Sequence, residues 1–201
     1  MEQRAFTVWF TGLPRSGKST IAKQVAERLR ERSLRVELLN SARIRRELNR
    51  SLGFTREEIT TNLKRLGYEC RLLNRNGLVA VVTAVSPYRD VREHLRADIG
   101  RFVEIYCRAP MEVLLKRDTR GLFEAAQRGE IKHVAGINAP YEEPLKPEVL
   151  LNTDQEGPEA STTKVITTLE VLGLIEPVEG SCYTAEESKL IKARLRDLGY
   201  L

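Results

Sequence analysis

The stretch TVWFTGLPRSGKSTIAKQVAERL, Thr7 to Leu29, decides the fold. A β-branched and aromatic run, Ala5 to Thr11, leads into a loop with Gly12, Gly17, Lys18 and Ser19 at the spacing of a phosphate cradle. Ile21, Ala22, Val25, Ala26 and Leu29 then fall on one helical face. Gly12 and Gly17 let the backbone turn tightly enough for its amides to point inward at phosphate oxygens, and the helix starting at Lys18 adds its positive end. Lys18 brings charge to the terminal phosphates, and the Ser19 hydroxyl is the expected magnesium ligand. The expected nucleotide contacts are Gly12, Leu13, Pro14, Arg15, Ser16, Gly17, Lys18, Ser19 and Thr20. The competing reading, a glycine-rich turn with a decorative lysine, has to explain the strand before the loop and the helix after it.

Outward from the loop, 201 residues with 41% hydrophobic and 30% charged content suffice for one substantial core with appendages. The expected organisation is a domain over residues 1–175, with a lid at about 118–141, and an extension over 176–201. No apolar run is long enough to cross a bilayer, and MEQRAFTVWF enters a strand pattern without the regions of a signal peptide, so a cytoplasmic protein is expected. Cys70, Cys107 and Cys182 are odd in number, widely spaced and outside any CxxC pair, a pattern that suggests neither a disulfide framework nor a zinc site. The net charge of +5 suits an anionic ligand. Its densest patch, Arg43, Arg45, Arg46 and Arg50, reads as a solvated helix face; nucleic acid is disfavoured because no aromatic-rich or helix-turn-helix pattern accompanies it.

Strands are predicted at Leu34–Leu39, Leu78–Val85, Phe102–Cys107 and Glu148–Leu151. Helices are predicted at Ser41–Asn49, Thr55–Asn74, Asp90–Ile99, after Pro110, and at Ser161–Leu172. Thr55 and Glu58 have the spacing of a capping box. Residues 118 to 147, rich in Gly, Pro and charge, read as a mobile excursion over the active site. Leu190, Ile191, Leu195 and Leu198 give the tail an amphipathic helical face. Strands alternating with helices make this an α/β three-layer sandwich around a parallel β-sheet, P-loop nucleoside triphosphate hydrolase-like, with ligands at the carboxyl ends of the strands.

Further stretches carry a resemblance. LNRSLGFTREE (Leu48 to Glu58), NLKRLGYECRLL (Asn62 to Leu73), GLVAVVTAVSPYR (Gly77 to Arg89), RDTRGLFEAAQRGEIK (Arg117 to Lys132), GINAPYEEPLKPE (Gly136 to Glu148) and LLNTD (Leu150 to Asp154) resemble the adenylyl sulfate kinases in order and spacing. The similarity spans about residues 5 to 172. It implies ATP and Mg2+ as cofactors and transfer of the ATP γ-phosphate to the 3′-hydroxyl of adenylyl sulfate or a related nucleotide, within sulfate assimilation. It also implies adenine near Arg117 and Asp118, acceptor contacts from Asn40, Arg45, Phe54, Asn62, Lys132 and Ile137, and Ser86 close to the transferred phosphate. Lys18, Ser86 and Lys132 are thus the catalytic candidates, and a homodimer stays open as an assembly.

The chain departs from the family on the acceptor side. The family's DGD motif falls on Asn40, Ser41 and Ala42, its acceptor-binding arginine on Ile59 and its stacking lid aromatic on Val134. An asparagine can hold a hydroxyl or a metal-bound water but is a poor proton acceptor. Two alternatives therefore stand beside the leading one: a kinase of the same fold with another acceptor, and a nucleotide-binding regulator of weak or absent turnover.

Overall fold

The computed structural model describes residues 5–177, 191–193 and 195–196. Five strands, β1 (Thr7–Thr11), β2 (Val36–Asn40), β3 (Val79–Thr83), β4 (Phe102–Arg108) and β5 (Val149–Asn152), form one sheet of order β2-β3-β1-β4-β5. Every pairing is parallel. The register sets Thr11 beside Tyr106 and Asn40 beside Thr83, so both strand ends reach the same edge.

The strands are nearly all apolar because both faces are covered. On one face α1 (Lys18–Glu31) and α7 (Pro158–Val171) bury Ile21, Val25, Leu29, Val165 and Leu169 against Val8, Phe10, Val81 and Ile105. On the other, α2 (Ser41–Leu48), α3 (Arg56–Arg75) and α4 (Arg89–Ile99) bury Ile44, Leu63, Leu66, Val91 and Leu95 against Trp9, Ala80 and Val82. Successive β1 residues thus serve opposite layers, as a strand's twofold period requires.

The predicted strands and helices are present with shifted ends. β2 starts at Val36 because Ser33, at φ 62, makes a left-handed turn and the Leu34 amide donates back to Leu29. β3 stops at Thr83, and the chain bends through Ser86 at φ 39. The capping box on α3 is complete, with Thr55 and Glu58 each satisfying the other's backbone amide.

The excursion after Arg117 contains a short helix that the sequence reading treats as loop, α6 (Leu122–Gln127), after α5 (Met111–Lys116). Phe123, Ala126 and Val134 bury themselves on Leu114, with Leu13 of the glycine loop packed alongside. In the tail, residues 191–193 and 195–196 are helical and Leu195 is buried. Leu190, Leu198 and Cys182 lie outside the described residues. Among the described residues, no helix is long and apolar enough to cross a membrane.

A buried ion network fixes the foot of the excursion. Arg92 on α4 is almost fully buried, its Nε 2.8 Å from Glu104 Oε1 on β4. Its Nη1 donates to the Ser86 carbonyl at 2.6 Å and its Nη2 to the Glu142 carbonyl at 2.6 Å. Arg96 reaches Glu148 through both terminal nitrogens, and Glu148 also accepts from the Glu104 amide at 2.6 Å. Burial pushes the Glu104 carboxyl above its ordinary range, against the pull of Arg92 and Arg96. Removing one partner of a buried pair leaves an uncompensated charge, so Arg92→Met should cost about 3–5 kcal/mol. Without Arg92, Glu104 titrates higher in the folded than in the unfolded chain, so the loss should shrink from pH 8 to pH 5. Urea midpoints at the two pH values measure both effects; a pH-independent loss below about 1 kcal/mol, the range of exposed pairs, would contradict the network's role.

Candidate active site

Each helix end at the crevice is finished differently. The Asn40 side chain caps α2 by accepting from the Arg43 amide at 3.0 Å, and Thr55 caps α3. The N-cap of α1 is Gly17, at φ 85, with no side-chain cap and no acid in the first turn. The first amides of α1 therefore face the crevice with no intrahelical acceptor, the arrangement that takes an anion. Gly12, at φ 141, lies so close to β4 that a Cβ there would come 2.3 Å from the Cys107 carbonyl oxygen.

Lys18 folds back inside this loop. Its ammonium donates to Gly12 O at 2.9 Å, Leu13 O at 2.6 Å and Ser16 Oγ at 3.2 Å. Burial pushes its pKa down to about 8, only partly opposed by Cys107. The charge is thus stored at the loop, and among the described residues no carboxylate forms an ion pair with it.

Two cavities meet at the loop, and Lys18 and Ser19 line both. The smaller, about 700 Å³, runs from Arg15 to Ile21 and out to Arg117 and the Thr153–Pro158 turn. Arg117 steadies that turn by donating to Thr153 Oγ1 at 3.2 Å and Thr153 O at 2.7 Å. The larger, about 760 Å³, lies between α2, α3, the end of β3 and the excursion. Asn40, Arg45, Phe54, Asn62, Ser86 and Lys132 all line it.

Their side chains are held in place. Arg45 stacks over the Phe54 ring at 4.4 Å and donates to the Gly53 carbonyl; burial lowers its pKa and Glu58 opposes that effect. Asn62 is buried, donating to Ser41 Oγ at 3.0 Å and accepting from Asn49 Nδ2 at 3.0 Å. Ser86 Oγ accepts from Trp9 Nε1 at 3.1 Å and donates to Thr11 Oγ1 at 2.9 Å. Thr11 gives its own proton to Val85 O at 2.8 Å, so the Tyr141 hydroxyl, 3.0 Å away, is the donor to Thr11. Ser86 consequently has an open lone pair but no free proton for a ligand.

Some expected site residues lie elsewhere. Ile137 lines neither cavity and packs into the Leu114–Phe123 cluster. Asp118 lines neither: its Oδ1 accepts from Arg15 Nε at 3.0 Å and its Oδ2 from the Phe123 amide at 2.7 Å, bracing the loop against α6. Gly12 and Leu13 shape the loop from behind it. The arginine patch is not one solvated face. Arg43 pairs outward with Glu47 at 3.0 Å, whereas Arg45, Arg46 and Arg50 line the larger cavity. The Thr153–Pro158 turn was legible only as the end of LLNTD, and the hydroxyl relay from Trp9 to Tyr141 gives no sequence signal, since its hydrogen-bonded pairs lie 74 to 130 residues apart.

A parallel sheet with a glycine loop between its first strand and an uncapped helix defines the P-loop nucleotide-binding class, here with a second cavity facing the loop. Within that class the assignment is specific. The sequence model of the Adenylylsulphate kinase family matches residues 4–152, and the chain belongs to that family. It is 46% identical over 177 residues to the adenylyl-sulfate kinase of Picosynechococcus sp., covering 88% of this chain and 100% of that one. It is 45% identical over 179 residues to the adenylyl-sulfate kinase of Rippkaea orientalis, covering 89% and 99%. Among solved structures, the Mycobacterium tuberculosis APS kinase CysC in complex with AMPPNP and APS superposes with a TM-score of 0.75 at 36% identity, covering 87% of this chain and 99% of that one.

Lys18 also leaves a mark on folding. Its folded pKa of about 8 lies below the 10.5 of an unburied lysine, so between these pH values the unfolded chain binds more protons. Unfolding free energy therefore gains up to about 1.4 kcal/mol per pH unit from this group across that window, the depressed pKa being a penalty carried at lower pH. Relative to Lys18→Met, the parent should gain stability from pH 8 to pH 10 in urea titrations; parallel pH profiles would rule out a buried, depressed lysine.

Proposed function

We propose that the chain transfers the γ-phosphate of ATP to the 3′-hydroxyl of adenylyl sulfate, releasing ADP. The observation that carries this reading is the sharing of Lys18 and Ser19 by two cavities, one on each side of the phosphate loop. ATP would occupy the smaller cavity, with its adenine beside Arg117 and its phosphates on the loop amides. The acceptor would occupy the larger, its base against Phe54. Transfer forms a bond from the acceptor oxygen to phosphorus and breaks the bond to the ADP oxygen, while the hydroxyl proton leaves to water.

The chain's contribution is positioning and charge, which dominate phosphoryl transfer. Lys18 would move from its loop carbonyls to the migrating phosphate, and Lys132 would approach from the excursion. Arg45 and Asn62 would fix the acceptor ribose. The hard-oxygen donors suit magnesium, and Ser19 with the nucleotide's own phosphates would hold it; bound there, the ion neutralises phosphate charge. Asn40 offers less, because its amide oxygen already caps α2.

Among the described residues, no Asp or Glu lines the larger cavity, so they supply it no carboxylate base. That observation favours a second reading, a nucleotide-binding regulator with slow turnover. With γ-labelled ATP, magnesium and adenylyl sulfate, the expected outcome is labelled product together with a rise in melting temperature on adding nucleotide. Lys18→Ala should abolish both. A nucleotide-induced shift without product favours the regulator; no shift in the parent removes the donor site. Ala42 lies on the exposed first turn of α2, where an acid suits the helix dipole. Ala42→Asp should fold normally and raise kcat by roughly tenfold or more, within the range of general-base catalysis. An unchanged kcat would show that a base at this position does not limit the step.

A further inference from the structure

The charge around the larger cavity points to a ligand feature beyond the contacts assigned above, although it rests on the acceptor reading just given. Five Lys or Arg side chains line it (Lys18, Arg45, Arg46, Arg50 and Lys132), against no carboxylate. Three have an account already. Lys18 sits in the loop, Arg45 is clamped on Phe54 and Gly53, and Lys132 lies on the excursion.

Arg46 and Arg50 have none. They sit four residues apart at the C-terminal end of α2. Arg50 Nε donates to the Arg46 carbonyl at 2.9 Å, which folds its side chain back along the helix end toward Arg46. Among the described residues no carboxylate pairs with either, while their neighbour Arg43 is matched by Glu47 on the other side of the helix. Both are exposed at the cavity mouth. Two like-charged side chains four residues apart on one cavity wall, one of them tied back to the other's backbone and neither met by an acid among the described residues, are open to an anion. Ile59, also on the cavity wall, packs its side chain into the core with Trp9 and Leu63 and offers no charge.

We infer that Arg46 and Arg50 together grip the sulfate–phosphate anhydride of the acceptor, making the end of α2 the specificity element for a nucleotide with two adjacent anionic groups. Arg45 and Phe54 hold the nucleoside side, and the arginine pair reads what lies beyond it.

Calorimetry tests this on the full chain with a non-hydrolysable ATP analogue present, comparing the parent with Arg46→Ala, Arg50→Ala, the double variant and the double Lys variant. Two charge-assisted contacts predict that the double Ala variant weakens adenylyl sulfate binding by roughly a hundredfold. Adenosine, which lacks the anions, and the ATP analogue should each bind within about twofold of the parent. The Lys pair should recover part of the loss, and the salt dependence of adenylyl sulfate binding should flatten in the Ala variants. The inference is overturned if the double Ala variant binds adenylyl sulfate as the parent does, or if it loses adenosine and the ATP analogue equally. A parent chain that binds adenylyl sulfate without forming labelled product defeats the proposed reaction and leaves the clamp standing; one that binds none overturns both.

Discussion

Lys18 lies buried within the loop that it serves, and much of the crevice follows from that placement. Its ammonium is held by two carbonyls and one hydroxyl of its own loop, all weak partners for a full charge. Those contacts keep the loop wrapped on itself, with Gly12 pressed onto the Cys107 carbonyl and the first amides of α1 turned outward. A protein carboxylate at the same point would satisfy the lysine and close the site to anions. Burial without such a partner lowers the pKa and leaves the charge available to an incoming phosphate.

The same economy of acids governs the rest of the crevice. Several carboxylates near the larger cavity are committed elsewhere: Glu58 to the α3 cap, Asp118 to Arg15 and α6, Glu104 and Glu148 to the α4 arginines, while Asp154 and Glu156 line the smaller cavity. What remains facing the larger cavity among the described residues is cationic, neutral polar or apolar. The field therefore draws anions toward the junction of the two cavities, and the positions where the family carries acids hold Asn40, a helix cap, and Ala42.

The strand, glycine loop and helix were legible from Thr7 to Leu29 because they are consecutive and each residue type has one geometric task. The sheet and its layers were legible for a related reason, since buried strands announce themselves as unbroken apolar runs. Boundaries were less so. A single left-handed residue, Ser33, delayed β2, and nothing in its side chain signals that conformation. The acceptor half was legible mainly by resemblance, and side-chain direction escaped it. Asp118 and Ile137 sit in matched segments yet turn away from both cavities, while Arg46 and Arg50 were hidden in a charge run whose two faces only the placed helix separates.

This asymmetry has a physical origin in how the two halves are anchored. The donor loop is bounded by β1 and α1, whose apolar residues fill the central core, so changes there disturb packing as well as binding. The acceptor wall is built from α2, which buries only Ile44, and from an excursion held by its own small cluster and by the Arg92 and Tyr141 contacts. Substitutions on such a wall cost little folding free energy, because exposed positions away from caps and buried networks are nearly neutral. Ala42, exposed on the first turn of α2, is such a position, whereas Asn40 is held by its cap and Ile59 by its packing, and the electrostatic demand of the ligand can be met from another position on the same wall. Arg46, in the last turn of α2, and Arg50, just past its C-cap, are placed to meet it without any change in the sheet.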